Sequence, residues 1–150
     1  MKSFIQKISL FTFSILFIYS FAHAEAVNVI LEQSLVSEKQ KTILKLKIEK
    51  NRVSIAGMTY TVLYDVNTFI FQDIVKTELT TDAILRKNDK NGTLRFGFIT
   101  IKDIKSTGDL FEVIFLKKQK NTGKDLIELK NAQCSDISGN MIPVHIKKQK

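Results

Sequence analysis

The chain is poor in the residue types that usually carry chemistry: 150 residues hold two histidines, one cysteine and no tryptophan. His23 lies in a segment read below as removed. A Ser-His-Asp triad would therefore rest on His145 alone, and a multi-histidine metal site is excluded. The single Cys134 excludes an intrachain disulfide framework and every multi-cysteine zinc ribbon. It reads as a small buried hydrophobe, with intermolecular pairing in an oxidising compartment as the lesser alternative. Fifteen acidic residues leave paired carboxylates as the only open catalytic chemistry. None of them sits in a recognisable motif, so no catalytic residue is assigned and the chain reads as a non-enzyme. Asp89-x-Asn91-Gly92 has the opening of a calcium loop but no acid at the twelfth position to close it, and a hairpin turn is the simpler reading. Asp125, Asp136 and Asn140 could meet at one end of a sandwich and hold calcium. That is the lesser alternative, and no metal or cofactor is expected.

The elements that would position any site begin after a targeting segment. Lys2 and Lys7 form a short basic region, and positions 8–21 carry no charge. Ala22-His23-Ala24 then fits a small-x-small cleavage site. The apolar run is shorter than the roughly 20 residues of a membrane span. Residues 1–24 are therefore expected to be a signal peptide, residues 25–150 a single domain, and the product to be exported, periplasmic or extracellular, with no stable membrane span after cleavage. Removing Lys2 and Lys7 leaves 21 basic and 15 acidic residues. The lysines mostly alternate with apolar residues, as in Leu44-Lys45-Leu46-Lys47-Ile48, which is the solvent face of strands rather than a nucleic-acid surface. Only Lys147-Lys148-Gln149-Lys150 is a basic cluster, and it reads as a solvated end.

Period-2 alternation recurs along the rest of the chain and predicts strands. Val27, Val29 and Leu31 share a face, as do Leu44, Leu46 and Ile48. Met58, Tyr60, Val62 and Tyr64 form the next core-facing set, then Leu94, Phe96 and Phe98. Phe111, Val113 and Phe115 follow, then Ile127 and Leu129, then Ile142, Val144 and Ile146. Leu110, Ile114 and Leu116 are placed opposite the phenylalanines on an outer face, covered either by a neighbouring segment or by a partner. The best helical candidate is the short stretch 80–87. Turns are expected at Asp89-Lys90-Asn91-Gly92, Ser106-Thr107-Gly108-Asp109, Asn121-Thr122-Gly123-Lys124 and Asp136-Ile137-Ser138-Gly139-Asn140. Many short strands with regular turns predict an all-β sandwich or barrel.

The order of these motifs resembles the cohesin family. Ala56-Gly57-Met58-Thr59-Tyr60-Thr61-Val62-Leu63-Tyr64-Asp65 is similar to that family's Gly-Phe-x-Phe-x-Leu-x-Tyr-Asp-Pro strand. Phe69-Ile70-Phe71-Gln72-Asp73-Ile74 resembles the short strand after it. Gly92-Thr93-Leu94-Arg95-Phe96-Gly97-Phe98 resembles Gly-x-Ile-x-Phe-x-Phe, and the stretch from Thr107-Gly108 to Phe115 resembles Gly-Asp-Gly-x-Leu-x-x-Ile-x-Phe. Ile127-Glu128-Leu129-Lys130-Asn131-Ala132 and Asp136-Ile137-Ser138-Gly139-Asn140 match the closing elements. The resemblance implies a nine-stranded flattened jelly-roll β-sandwich, related to cellulose-binding domains. It also implies a non-catalytic receptor of the kind that binds dockerin modules in assemblies that degrade polysaccharides. In two places the chain departs from the pattern. Val66 stands where the family has proline. Gly57 and Thr59 stand where dockerin-binding cohesins often carry Asn and Asp, so charged acceptors worth about 1.5–3 kcal/mol each are missing.

The expected function is accordingly an exported cohesin-like module that binds a protein partner, dockerin-like or other. The candidate partner-binding residues are Thr59, Thr61 and Leu63, with Arg95, Gly97 and Ile99 on a strand expected nearby. Polysaccharide binding is the first alternative, and a structural subunit of an envelope or secretion assembly the second. An exposed aromatic platform would favour sugar; a flat face of mixed polarity would favour protein. No nucleic-acid partner is expected.

Overall fold

The computed structural model describes residues 29–38, 40–49, 53–118 and 123–148. The expected signal peptide, Val27 and part of the turn at 121–124 lie outside the described residues. The strands are β1 (Val29–Glu38), β2 (Lys41–Glu49), β3 (Ile55–Tyr64), β4 (Phe69–Lys76), β5 (Ile84–Lys90), β6 (Thr93–Ile104), β7 (Gly108–Lys117), β8 (Ile127–Ser135), β9 (Met141–Ile142) and β10 (Val144–Lys148). They form two five-stranded sheets, ordered β10-β1-β2-β7-β4 and β5-β6-β3-β8-β9. All pairings are antiparallel except β1 with β10. Among the described residues no helix is long and apolar enough to cross a membrane.

The core forms where the alternating apolar faces of the two sheets meet, the usual outcome for amphipathic sheets. Leu44, Leu46 and Ile48 from β2 are fully buried, as are Phe111, Val113 and Phe115 from β7. Opposite them lie Met58, Tyr60 and Val62 from β3 and Leu94, Phe96 and Phe98 from β6. Tyr60 stacks on Phe96 with ring centroids 4.7 Å apart and meets the edge of Phe111 at 6.3 Å. Its hydroxyl donates to Met58 Sδ at 3.2 Å, and burial pushes it well above the ordinary tyrosine pKa.

Four features differ from the sequence reading. The helical stretch at 80–87 is instead a 3₁₀ turn (Glu78–Thr80) followed by β5. β5 is an edge strand whose residues are nearly all exposed, so it carries no alternation to read. Asn91 and Gly92 have φ of 50° and 76°; this two-residue turn folds β5 back onto β6.

The strands among the described residues number ten rather than nine, because Pro143 separates β9 from β10. Lacking an N–H, it cannot continue a ladder. The chain leaves one sheet there and joins the other, so Ile142 packs on the core from one side and Val144 and Ile146 from the other.

Leu110 faces the core, not the outside. Leu46 pairs with Phe111 and Lys47 with Asp109, which leaves Leu110 as the extra residue of a β-bulge. Both Leu110 and Phe111 are fully buried. The bulge frees the Leu110 carbonyl from the ladder, and the buried Thr80 hydroxyl donates to it at 2.7 Å. The Thr80 oxygen in turn accepts from the Thr77 N–H at 3.0 Å.

The C-terminal lysines are not merely a solvated end. Lys147 lies 3.1 Å from Glu49, and Lys148 pairs with Glu128.

Candidate partner-binding face

β3 buries Met58, Tyr60, Val62 and Tyr64 and therefore turns Gly57, Thr59, Thr61 and Leu63 outward. Its neighbours fall into register with those positions. Thr59 is opposite Gly97, Thr61 opposite Arg95 and Gly57 opposite Ile99 on β6. On the other side Gly57 meets Ser135, Thr59 meets Gln133 and Thr61 meets Asn131 of β8. β5 adds Ile84 beside Ile99, Arg86 beside Gly97 and Asn88 beside Arg95, and β9 adds Met141 beside Ser135.

The outer face is thus a lattice of rows that change in character along the strands. The first row, Ile84–Ile99–Gly57–Ser135–Met141, is mainly apolar, and its three large side chains are 56%, 62% and 64% exposed in that order of isoleucines and methionine. Arg86–Gly97–Thr59–Gln133 and Asn88–Arg95–Thr61–Asn131 are polar and cationic. The last row holds Lys90, Thr93, Leu63 and Glu128.

Two glycines make depressions in this lattice. A Cβ on Gly97 would lie 2.9 Å from both the Met58 carbonyl oxygen and Thr59 Cγ2, so the close approach of β3 and β6 requires glycine there. A shallow basin lies over it, lined by Thr59, Thr61, Arg86, Arg95, Asn131 and Gln133 among others. A Cβ on Gly57 would lie 3.1 Å from the Phe98 carbonyl oxygen. The notch above Gly57 is walled by Ile99 and Met141.

The charges of the face fall into two groups. Glu128 is engaged by Lys148 and by Lys130 at 3.6 Å, which hold its carboxyl below the usual carboxylate range. Asp89, at the hairpin, accepts from the Tyr64 hydroxyl at 2.8 and 2.9 Å. Burial, reinforced by this carboxylate, pushes Tyr64 up to about 12. Arg86 and Arg95 make no ion pair among the described residues.

All six sequence-derived candidates therefore lie on one face, with Leu63 half-buried between Thr93 and Glu128. Ile84 and Arg86 fall in the helical candidate 80–87 and so are absent from the sequence-derived set, as is Asn88 just beyond it. The Asn91-Gly92 turn was the available signal: a two-residue hairpin obliges 84–90 to pair with 93–99. Asn131, Gln133 and Met141 are absent from that set as well.

The alternative chemistries fare differently. Asp125 and Asp136 stand beyond opposite ends of the nine-residue β8, about 30 Å of strand at 3.3 Å per residue, so they cannot share a calcium ion. Asp125 instead pairs with Lys117 at 2.7 Å. Asp136 accepts from the Ser138 and Asn140 backbone N–H groups at 2.9 and 2.8 Å. Among the described residues no three His, Cys, Asp or Glu side chains gather to hold a metal. Cys134 is 1% exposed, and burial, with some help from Asp136, pushes its thiol up to about 11. A sulfur so enclosed is not placed to cross-link chains.

No protein-family model matches the chain, and no curated protein matches its sequence. Solved structures do match. A non-cellulosomal cohesin from the hyperthermophilic archaeon Archaeoglobus fulgidus superposes with a TM-score of 0.62 at 20% identity, covering 79% of this chain and 84% of that one. A type II cohesin from Bacteroides cellulosolvens gives 0.65 at 15% identity, covering 81% and 96%. A cohesin solved in a cohesin–dockerin complex from Clostridium thermocellum gives 0.59 at 15% identity, covering 80% and 88%. The fold is cohesin-like.

Proposed function

We propose that this cohesin-like chain is a non-catalytic module that binds a protein partner through the outer face of β5, β6, β3 and β8. The observation that carries the reading is the character of that face: it is open, of mixed polarity and dimpled by glycine. Among the described residues every aromatic ring is buried or half-buried, so the sandwich offers no stacking platform of the kind that sugar binding favours. Structural neighbours solved with dockerins bound support a protein as the partner. Gly57 and Thr59 favour a partner that does not depend on Asn or Asp at those positions. Thr59, Thr61, Leu63, Arg95, Gly97 and Ile99 form the centre of the proposed contact.

The proposal includes export to the periplasm or beyond, resting on the basic, apolar and small-x-small order of residues 1–24. Mass spectrometry of exported material should find a chain beginning at Glu25; an intact Met1 would refute export by cleavage.

The face is tested by capture from the native envelope or culture fluid. Thr59→Arg places a long charged side chain at the centre of the lattice while the inward residues of β3 keep the core. It should abolish capture with an unchanged melting temperature. Equal capture by wild type and Thr59→Arg, with loss on Ile114→Asp in the opposite sheet, would show that the other face binds.

A further inference from the structure

The chemistry of the face narrows the class of partner, given the reading that this face binds a protein. Arg86 and Arg95 sit on adjacent strands and flank Gly97: Arg86 pairs with Gly97 across the ladder, and Arg95 precedes it by two residues on β6. Both guanidinium groups are exposed and, among the described residues, neither has an acidic partner. Asp89 of β5 is engaged by the Tyr64 hydroxyl and Glu128 of β8 by Lys130 and Lys148. Every other row of the lattice is neutral except the last, where Lys90 adds a further exposed cation. At the far end, the notch above Gly57 exposes Ile99 and Met141 as apolar walls. Ile84 extends the apolar row, and Ile101, 90% exposed, follows Ile99 by two residues.

We infer that the face selects an acidic polypeptide segment that seats one large apolar side chain in the Gly57 notch and directs carboxylates onto Arg86 and Arg95. Guanidinium groups suit this task because their planar donors match a carboxylate in bidentate fashion. The spacing is set by the strands. Arg86 lies two residues along β5 from the apolar row and Arg95 four along β6, about 7 and 14 Å at 3.4 Å per residue. A helical partner would span that interval in about one to two and a half turns. The apolar end favours a polypeptide over an acidic polysaccharide, which has no large apolar side chain to seat.

The test uses the full chain against a phage-displayed library of random peptides, with selected peptides synthesised and titrated by fluorescence anisotropy. Selected sequences should be enriched in Asp and Glu around one large apolar residue. Their Kd should rise at least tenfold for Arg86→Glu/Arg95→Glu and for Ile99→Asp, and should rise with salt as exposed pairs are screened. All three substituted residues are outward, so unchanged melting temperatures will show that the variants fold. Peptides without acidic enrichment that nevertheless lose binding to Thr59→Arg would overturn the acidic partner and leave the binding face standing. Peptides indifferent to Thr59→Arg but lost on Ile114→Asp would overturn both. Binding of polygalacturonate that is lost in Arg86→Glu/Arg95→Glu yet unchanged in Ile99→Asp would overturn the polypeptide in favour of a polyanionic sugar.

Discussion

The two outer faces of the sandwich are built from similar residues yet handle charge in opposite ways. On the sheet containing β1, β2 and β7, lysines and glutamates neutralise one another within the sheet. Lys45 pairs with its cross-strand neighbour Glu112 at 3.2 Å, Lys47 with Glu32 at 3.7 Å, and Lys147 with Glu49 at 3.1 Å. The Lys147 ammonium holds the Glu49 carboxyl below the usual range. Val36, Ile43 and Ile114 form an apolar row to one side of these pairs, beyond Lys45 and Glu112. On the opposite face the two arginines make no ion pair among the described residues. Hydrogen-bonding capacity used inside a sheet fixes strand register and partner strands; capacity left over is what a second molecule can use. Among the described residues, the contrast separates a face whose lysines and glutamates pair within the sheet from one whose two arginines make no ion pair.

The largest expected effect lies beneath the paired face. Thr80→Val keeps the shape but removes the acceptor of the Thr77 N–H and one of two donors to the Leu110 carbonyl, the other being the Thr77 hydroxyl at 3.1 Å. Leaving the Thr77 N–H unsatisfied costs about 1–3 kcal/mol. Urea denaturation should show that loss while partner binding stays intact. If stability is unchanged, the bulge does not depend on the 3₁₀ turn.

Gly97→Val crosses the boundary between the two roles. The added Cβ must displace Thr59 or the Met58 carbonyl, and overpacking of this kind costs about 1–3 kcal/mol. It should lower the melting temperature and also fill the basin between the arginines. Binding that survives a clear loss of stability would place the contact elsewhere.

A smaller effect distinguishes the faces most directly. Lys45→Glu sets a like charge opposite Glu112, and exposed cross-strand pairs are worth about 0.2–1 kcal/mol. The double exchange Lys45→Glu/Glu112→Lys should restore stability in a double-mutant cycle. The same reversal at Arg95 should leave stability within about 0.5 kcal/mol, the range for surface substitutions away from special features. A destabilisation by Arg95→Glu as large as that of Lys45→Glu would erase the proposed difference.

Acid should act mainly on the strand connections. Asp65 accepts from the Lys124 and Asn67 backbone N–H groups, which hold its carboxyl below the usual range. Asp136 is held down by the Asn140 side chain and by backbone N–H groups of its own turn. A depressed folded pKa contributes stability that is present above the unfolded value, near 4, and lost as pH falls through the folded one. Thermal melts should therefore be flat near neutrality and fall below about pH 4. Asp65→Asn and Asp136→Asn should each reduce that slope; an unchanged slope would assign acid lability to the ion pairs of the faces.

Much of the fold was legible because it follows from local alternation. Tyr60 and Tyr64 were placed in the core and are 2% and 8% exposed. The Asn91-Gly92 and Asp136–Asn140 turns lie where their residues predict. Proline is not needed after Asp65, because the Asp65 backbone carbonyl accepts from the Thr68 and Phe69 N–H groups at 3.0 and 2.8 Å and fixes that turn. Gly123 must be small for the same reason: a Cβ there would lie 2.4 Å from Asp65 Oδ2. The candidate site was half legible. Thr59, Thr61 and Leu63 follow from the alternation of one strand, but Arg86 rides on a strand whose exposed residues show no period.

The sequence by itself determined which side of each amphipathic strand would be buried and where most of the chain reversals fall. Side-chain direction alternates with every residue, and φ-tolerant residues mark the turns, so both are local properties. Only the tertiary structure decided that Leu110 turns inward, that Pro143 divides the last run between two sheets, and which charges find partners. Each of those depends on the register between strands far apart in the chain. A one-residue bulge or a different neighbour reverses the face a side chain presents. The pair of arginines with no ion pair among the described residues is a product of that register: β5 sets Arg86 beside Gly97, while Asp89 meets Tyr64 and Glu128 meets Lys130 and Lys148.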